Sequence, residues 1–247
     1  MAGLLGIGGG LIIVPALFLL YKQLAFPEAL ILHMALGSSL ATIVFTSLTS
    51  ITTHHYINRS INWLVFRTIT PALIIGALLG GLLVDFIETS LLKFFFISFE
   101  LFVAMKMLDI LPHSPMPIKV STGLYRSVSF FIGLISALVG IGGGTMTVPM
   151  LMMMKMPIKA AISLSAACGL PIAFFASLSY VIAGSDKSLP VASTGFIYWP
   201  AVFWISVMSM ITAPIGAKLS QRLNNRGLKK IFAFLLIFIA LKMIFIL

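Results

Sequence analysis

The stretch "GLLGIGGGLIIVPAL", Gly3 to Leu17, sets four glycines within five residues and a proline five residues later, inside an apolar run. It returns as "ALVGIGGGTMTVPML", Ala137 to Leu151, so the chain carries the same device twice. Three readings compete for it. A dinucleotide fingerprint G-x-G-x-x-G needs glycine at Leu11 and at Thr145, and the spacing fails. Close helix packing fits Gly6/Gly10 and Gly140/Gly144, which are spaced as G-x-x-x-G. It leaves Gly8, Gly9, Gly142 and Gly143 without a role, although each glycine costs about 1 kcal/mol of helix propensity. In the third reading the helix is meant to break. Consecutive glycines reach φ > 0, and Pro15 and Pro149 fall in the early turns of the new segment, where a missing N–H costs little. Such a half-helix aims its first amides and the positive end of its dipole at whatever fills the break.

The setting is a membrane. The chain has 247 residues, 60% hydrophobic and 9% charged, where a soluble domain is about a quarter charged. The mean hydropathy is +1.14. Apolar runs of about 20 residues match roughly 30 Å of hydrocarbon. Their continuity argues for helices, since barrel strands alternate. The formal charge of +10 does not point to nucleic acid: the cations are scattered singly, apart from a cluster at Lys218, Arg222, Arg226, Lys229 and Lys230. That cluster reads as a cytoplasmic topology signal. A single cysteine, Cys168, excludes an intrachain disulfide, and no cleavable signal peptide is visible.

Hydropathy places spans near residues 3–20, 33–53, 64–86, 91–110, 126–154, 160–183, 196–217 and 228–247. The expected fold is therefore an all-α integral membrane protein of about eight transmembrane segments. It is built from two four-span repeats, with a Gly-rich broken helix in each. Residues 1–110 form the first repeat, 111–122 a proline-bearing linker and 123–247 the second repeat. Laying Trp63–Leu108 on Trp199–Ile244 without a gap gives 13 identities in 46 positions, among them Gly80/Gly216, Lys93/Lys229 and Lys106/Lys242. The apolar stretch Tyr125 to Val139 before the second motif has no counterpart before the first, so either the true start lies upstream or the first half has lost its N-terminal half-helix. A straight helix over 126–154 would be roughly 43 Å long, more than one untilted crossing needs, which favours a break. Paired broken segments point to a transporter's binding site. Four spans per half would give the halves a shared orientation. Loops after the first, third, fifth and seventh spans would then be cytoplasmic and both termini outside.

These residues also carry a resemblance. The doubled "GIGGG…VP" motif, "HMALGSSLA" from His33 to Ala41 and "GALLGGLL" from Gly76 to Leu83 resemble the TauE/SafE family of sulfite and organosulfonate exporters and permeases. The likeness runs over nearly the whole chain. It implies a multi-pass carrier of small anions of the sulfur-oxyanion class in the cell (plasma or inner) membrane. In the second copy Cys168 and Gly169 stand where the first has Ser38 and Ser39, so the two half-sites differ chemically.

The expected substrate site combines backbone amides at Gly8, Gly9, Gly10 and Leu11, and at Gly142, Gly143, Gly144 and Thr145, with the hydroxyls of Ser38 and Ser39. Gly6, Pro15, Gly140 and Pro149 would shape the breaks. Hydroxyls in membrane helices also bond their own backbone, which is the structural alternative for the two serines. Glu100, mid-span in "FFFISFELFVAMKML", is the candidate proton carrier, because a carboxylate at membrane depth is expensive. Its alternative is an ion pair with Arg67, Lys106 or a histidine. His33 is the second proton candidate, against a headgroup-level position. Trp63, Trp199, Tyr21, Tyr180 and Tyr198 fit interfacial anchors. No metal-ligand spacing, cofactor motif, ATP-binding motif or nucleophile–base pair is present, so neither an enzyme nor a cofactor is expected. The partners expected are a small anion and the lipid bilayer. A homodimer would use the Gly76/Gly80 face, unless that pair packs helices within one chain. The rival functions are a non-transporting membrane scaffold and an anion channel.

Overall fold

The computed structural model describes residues 9–58, 61–108, 110, 122–220 and 225–245. Nine helices occur among them: α1 (Gly10–Gln23), α2 (Glu28–Asn58), α3 (Trp63–Leu83), α4 (Thr89–Met107), α5 (Thr122–Val139), α6 (Gly144–Met153), α7 (Ile158–Ala183), α8 (Trp199–Ser220) and α9 (Asn225–Phe245). The polarity is that of a protein dissolved in lipid. Leu64, Phe86, Phe94, Ile231 and Phe245 are exposed, whereas Ser38, Ser39, Thr42, Glu100 and Ser163 are buried. Three stretches, Glu28–Ile51, Trp63–Phe86 and Ala160–Ala183, are long and apolar enough to cross a bilayer.

Two departures from the expected all-α pattern of continuous spans stand out. The span expected from residue 196 opens instead with a short antiparallel hairpin, β1 (Ser193–Thr194) and β2 (Ile197–Tyr198), before α8 starts. The broken span expected over 126–154 is two helices that double back. Ser129, ten residues before the end of α5, donates its hydroxyl to the Met150 sulfur at 3.6 Å, six residues into α6. Two half-helices continuing in one direction would separate those residues by roughly 25 Å or more. They lie side by side.

Printed contacts fix the direction of the other helices. Gly37 meets Tyr180 and Ser47 meets Gly169, so α2 and α7 are antiparallel. Gly76 packs on Phe130 and Gly80 on Leu134 and Ala137, so α3 and α5 are parallel. Side chains at Gly76 or Gly133 would run into the Phe130 or Leu73 carbonyl. The Gly76/Gly80 face is thus used within the chain. At one end of the bundle Thr89 donates to the Ala29 carbonyl, Lys187 pairs with Asp85, and Tyr198 stacks edge-on against Tyr21 and Phe26. The α1–α2, α3–α4 and α7–α8 junctions therefore share that end. The α2–α3, α6–α7 and α8–α9 junctions and the start of α5 lie at the other.

One local motif occurs in both halves. α1 ends with the Phe26 amide on the Tyr21 carbonyl and the Ala25 amide on Lys22; α6 ends with Met156 on Leu151 and Lys155 on Met152. This is the paired bonding of a Schellman cap, with Ala25 (φ +54°) and Lys155 (φ +61°) in the left-handed position glycine usually takes. Phe26-Pro27 and Met156-Pro157 then launch α2 and α7.

Candidate functional site at the glycine break

The second break is built from a helix end and a helix start. α5 terminates in a Schellman cap: the Gly140 amide bonds Ala137 and the Ile141 amide bonds Ser136, with Gly140 at φ +70°. Gly143, at φ +75°, caps α6, and its carbonyl accepts from the Met146 and Thr147 amides and the Thr147 hydroxyl. Only glycine takes two left-handed positions three residues apart without strain. The first amides of α6, on Gly144 and Thr145, have no intrahelical acceptor by helix geometry.

α1 brings a second helix start to the same place. A side chain at Gly10 would lie 2.5 Å from the Gly140 carbonyl oxygen and 3.0 Å from the Ile141 Cα. The N-terminus of α1, capped by Gly9, therefore abuts the α5–α6 break. Gly10 and Leu11 are its first two residues, buried, with amides in the same open position as Gly144 and Thr145. Gly6 and Gly8 lie outside the described residues. The break sits deep: Gly140 packs on Leu36 and Gly142 on Ile43, about 12 and 22 Å along α2 from its start.

The prolines do not act as expected. Pro15 and Pro149 are each the sixth residue of their helix, past the turn whose N–H groups are free anyway. Each removes a real intrahelical bond and frees a carbonyl, of Leu11 and of Thr145, beside the amides.

Ser39 and Ser38 have separate duties. Ser39 donates its hydroxyl to the Gly140 carbonyl at 3.0 Å, pinning the break to α2. Ser38 accepts from the Tyr21 hydroxyl and the Tyr198 amide, both at 3.0 Å, tying α1 and the hairpin to α2. Neither reaches the break with a free donor in the way the sequence suggested. The uncommitted hydroxyls are others. Thr145 Oγ1 and Ser165 Oγ are buried without a hydrogen-bond partner among the described residues, and Ser165 is one turn from Gly169, whose added side chain would touch the Gly142 carbonyl at 3.0 Å. Tyr21 and Tyr180 are fully buried, with Tyr180 donating to the Ala137 carbonyl at the end of α5. Tyr180 braces the break, Tyr21 ties α1 to α2, and both are packed inside protein instead of serving as interfacial anchors. Trp63 and Trp199 are exposed, as anchors would be.

Glu100 lies on α4, fully buried, and neither carboxyl oxygen has a hydrogen-bond partner among the described residues. The ion pair with Arg67, Lys106 or a histidine is not formed there. His33 is also buried, with Nε2 on the Val84 carbonyl at 3.1 Å and its ring 5.2 Å from Phe196.

The profile of the sulfite exporter TauE/SafE family matches residues 1–243. A probable membrane transporter protein of Haemophilus influenzae is 35% identical over 98% of this chain and 92% of its own length. Others named the same way, from Methanocaldococcus jannaschii and Bacillus subtilis, are 28% and 24% identical over 93% and 99% of this chain and 85% and 93% of their own. No solved structure matches the chain. With a family profile covering nearly all of it, the chain is an integral membrane protein belonging to the TauE/SafE sulfite exporter family.

Proposed function

We propose that this protein is a secondary transporter of small anions, of the sulfite or organosulfonate class, with its substrate site at the glycine break. The observation that carries the reading is the convergence of two helix N-termini, at Gly9–Leu11 and Gly142–Thr145, deep in the bundle. Each presents amides without intrahelical partners and the positive end of a dipole, the arrangement that holds an oxyanion without a fixed cation. Non-helical backbone at this depth is stable only where protein or a wet cavity surrounds it. The Thr145 and Ser165 hydroxyls supply directional donors. The family name and the names of three relatives support the transporter class, and the family name alone supports the sulfur-oxyanion substrate.

Coupling to protons is assigned to Glu100, whose unpartnered buried carboxyl is costly unless a proton or a cation visits it. His33 takes a smaller part, held by Val84 with Nδ1 unpartnered. The division of the chain into two repeated halves near residues 111–122 belongs to the same reading.

The test is uptake of labelled sulfite into proteoliposomes, with and without a pH gradient, by wild type and Gly143→Leu. Saturable flux that is lost in a mutant still folded in detergent supports the carrier. Flux linear in concentration without countertransport would replace it with a channel. Silence toward sulfite, sulfoacetate and thiosulfate by folded wild type would withdraw the substrate class.

A further inference from the structure

We infer that the two halves are inverted copies: α5–α6 is a re-entrant hairpin that enters and leaves through one membrane face, and that face is cytoplasmic. The inference starts from directions already described. α5 begins at the bundle end where α2 meets α3, and α6 folds back along α5 to the same end, as the Ser129–Met150 contact requires. α7 then starts there and runs antiparallel to α2. Between α1 and the hairpin the chain makes three full crossings, α2, α3 and α4, an odd number, which reverses the second half relative to the first.

The matching turns agree. The Schellman caps at Ala25 and Lys155, each followed by an X-Pro step, are one motif used at opposite ends of the bundle. So are the helix starts at Gly10 and Gly144, of which the first packs on the break that precedes the second, and which lead α1 and α6 toward opposite ends.

Charge supplies an independent check. Among the described residues, nine of the thirteen Lys and Arg fall at the α6–α7 end by the directions just given. The opposite end holds Lys22, Lys93, Lys187 and Lys242 among the acids Glu28, Asp85, Glu88 and Asp186. Parallel halves would spread the same cations across both faces. Inverted halves sort them, and the positive-inside rule then makes the α6–α7 end cytoplasmic. It follows that the hairpin β1–β2 lies on the outer side. An inverted pair also has a mechanical consequence: each half can take the conformation of the other, exposing the central break to one face and then the other.

The test is cysteine accessibility in intact cells, using a Cys168→Ala background and an impermeant maleimide. Single cysteines replace Gln23, Gly123, Lys155 and Ser188, all exposed. Inverted, re-entrant halves predict labelling at positions 23 and 188 from outside, with 123 and 155 labelled only after permeabilisation. Labelling of 155 on the side opposite to 123 overturns the re-entrant hairpin. Labelling of 123 and 155 from outside, with 23 and 188 protected, overturns the orientation. Should Cys168→Ala fail to fold, fusions after Leu247 of alkaline phosphatase and of a cytoplasm-dependent fluorescent protein read the same question. An active phosphatase and a dark fluorescent protein are expected, and the reverse pair overturns it. These readouts do not depend on transport, so they stand apart from the substrate assay.

Discussion

Gly143→Ala is the smallest change that interrogates the break. Two costs follow from the structure. Alanine at φ +75° occupies the left-handed region at about 1–2 kcal/mol. Its Cβ would lie 2.6 Å from Ile172 Cδ1, the far end of a flexible side chain, and moving that methyl off its rotamer costs about 0.5–1.5 kcal/mol. The sum is about 2–3 kcal/mol, or a fall in Tm of about 5–10 °C for a chain this long. Thermal unfolding in detergent measures it. Gly227→Ala is the control, because nothing lies within 4 Å of its added carbon, and its Tm should be unchanged or slightly higher. The two costs separate in a double-mutant cycle with Ile172→Val, which removes Cδ1. The valine should relieve about 0.5–1 kcal/mol of the alanine's effect and leave the backbone share. If Gly143→Ala unfolds at the same temperature as Gly227→Ala, the left-handed cap is not what holds the break, and the argument fails.

Ser39→Ala leaves the Gly140 carbonyl without its donor at a cost of about 1–2 kcal/mol, so both Tm and sulfite uptake should fall; uptake at the wild-type level would separate the break from the site. Glu100→Gln keeps the shape and removes the titrating group. Uptake should persist but stop responding to an imposed pH gradient, and an unchanged response would remove Glu100 from the coupling step. Gly76→Ala pushes a methyl into the Phe130 backbone carbonyl, which cannot rotate away. It should lower Tm by more than Gly143→Ala and leave the molecular mass by light scattering unchanged; a stable variant that merely dissociates would restore the dimer role for that face.

Much of this was legible in the residues. Membrane class follows from composition, because only lipid dissolves so apolar a surface without charge. The breaks followed from Gly142–Gly144, since consecutive glycines disfavour a helix whatever surrounds them. The structure made both local statements concrete at Gly140 and Gly143. The caps at Ala25 and Lys155 were harder to see. Without glycine to mark them, only the X-Pro pairs at Phe26-Pro27 and Met156-Pro157 signal that a helix ends there.

What the sequence by itself determined, then, is where the chain is helical, that it must break at Gly140–Gly143, and that the glycine–proline motif recurs. The tertiary structure alone decided which way the chain leaves the break, which serine pins it, and which hydroxyls stay uncommitted. The reason is physical. Propensity, capping and hydropathy act within a turn or two of chain, so Gly140 ends α5 whether α6 then runs onward or back. Direction depends on contacts such as Ser129 with Met150 and Ser39 with Gly140, which join residues 21 and 101 positions apart and exist only once the bundle has packed.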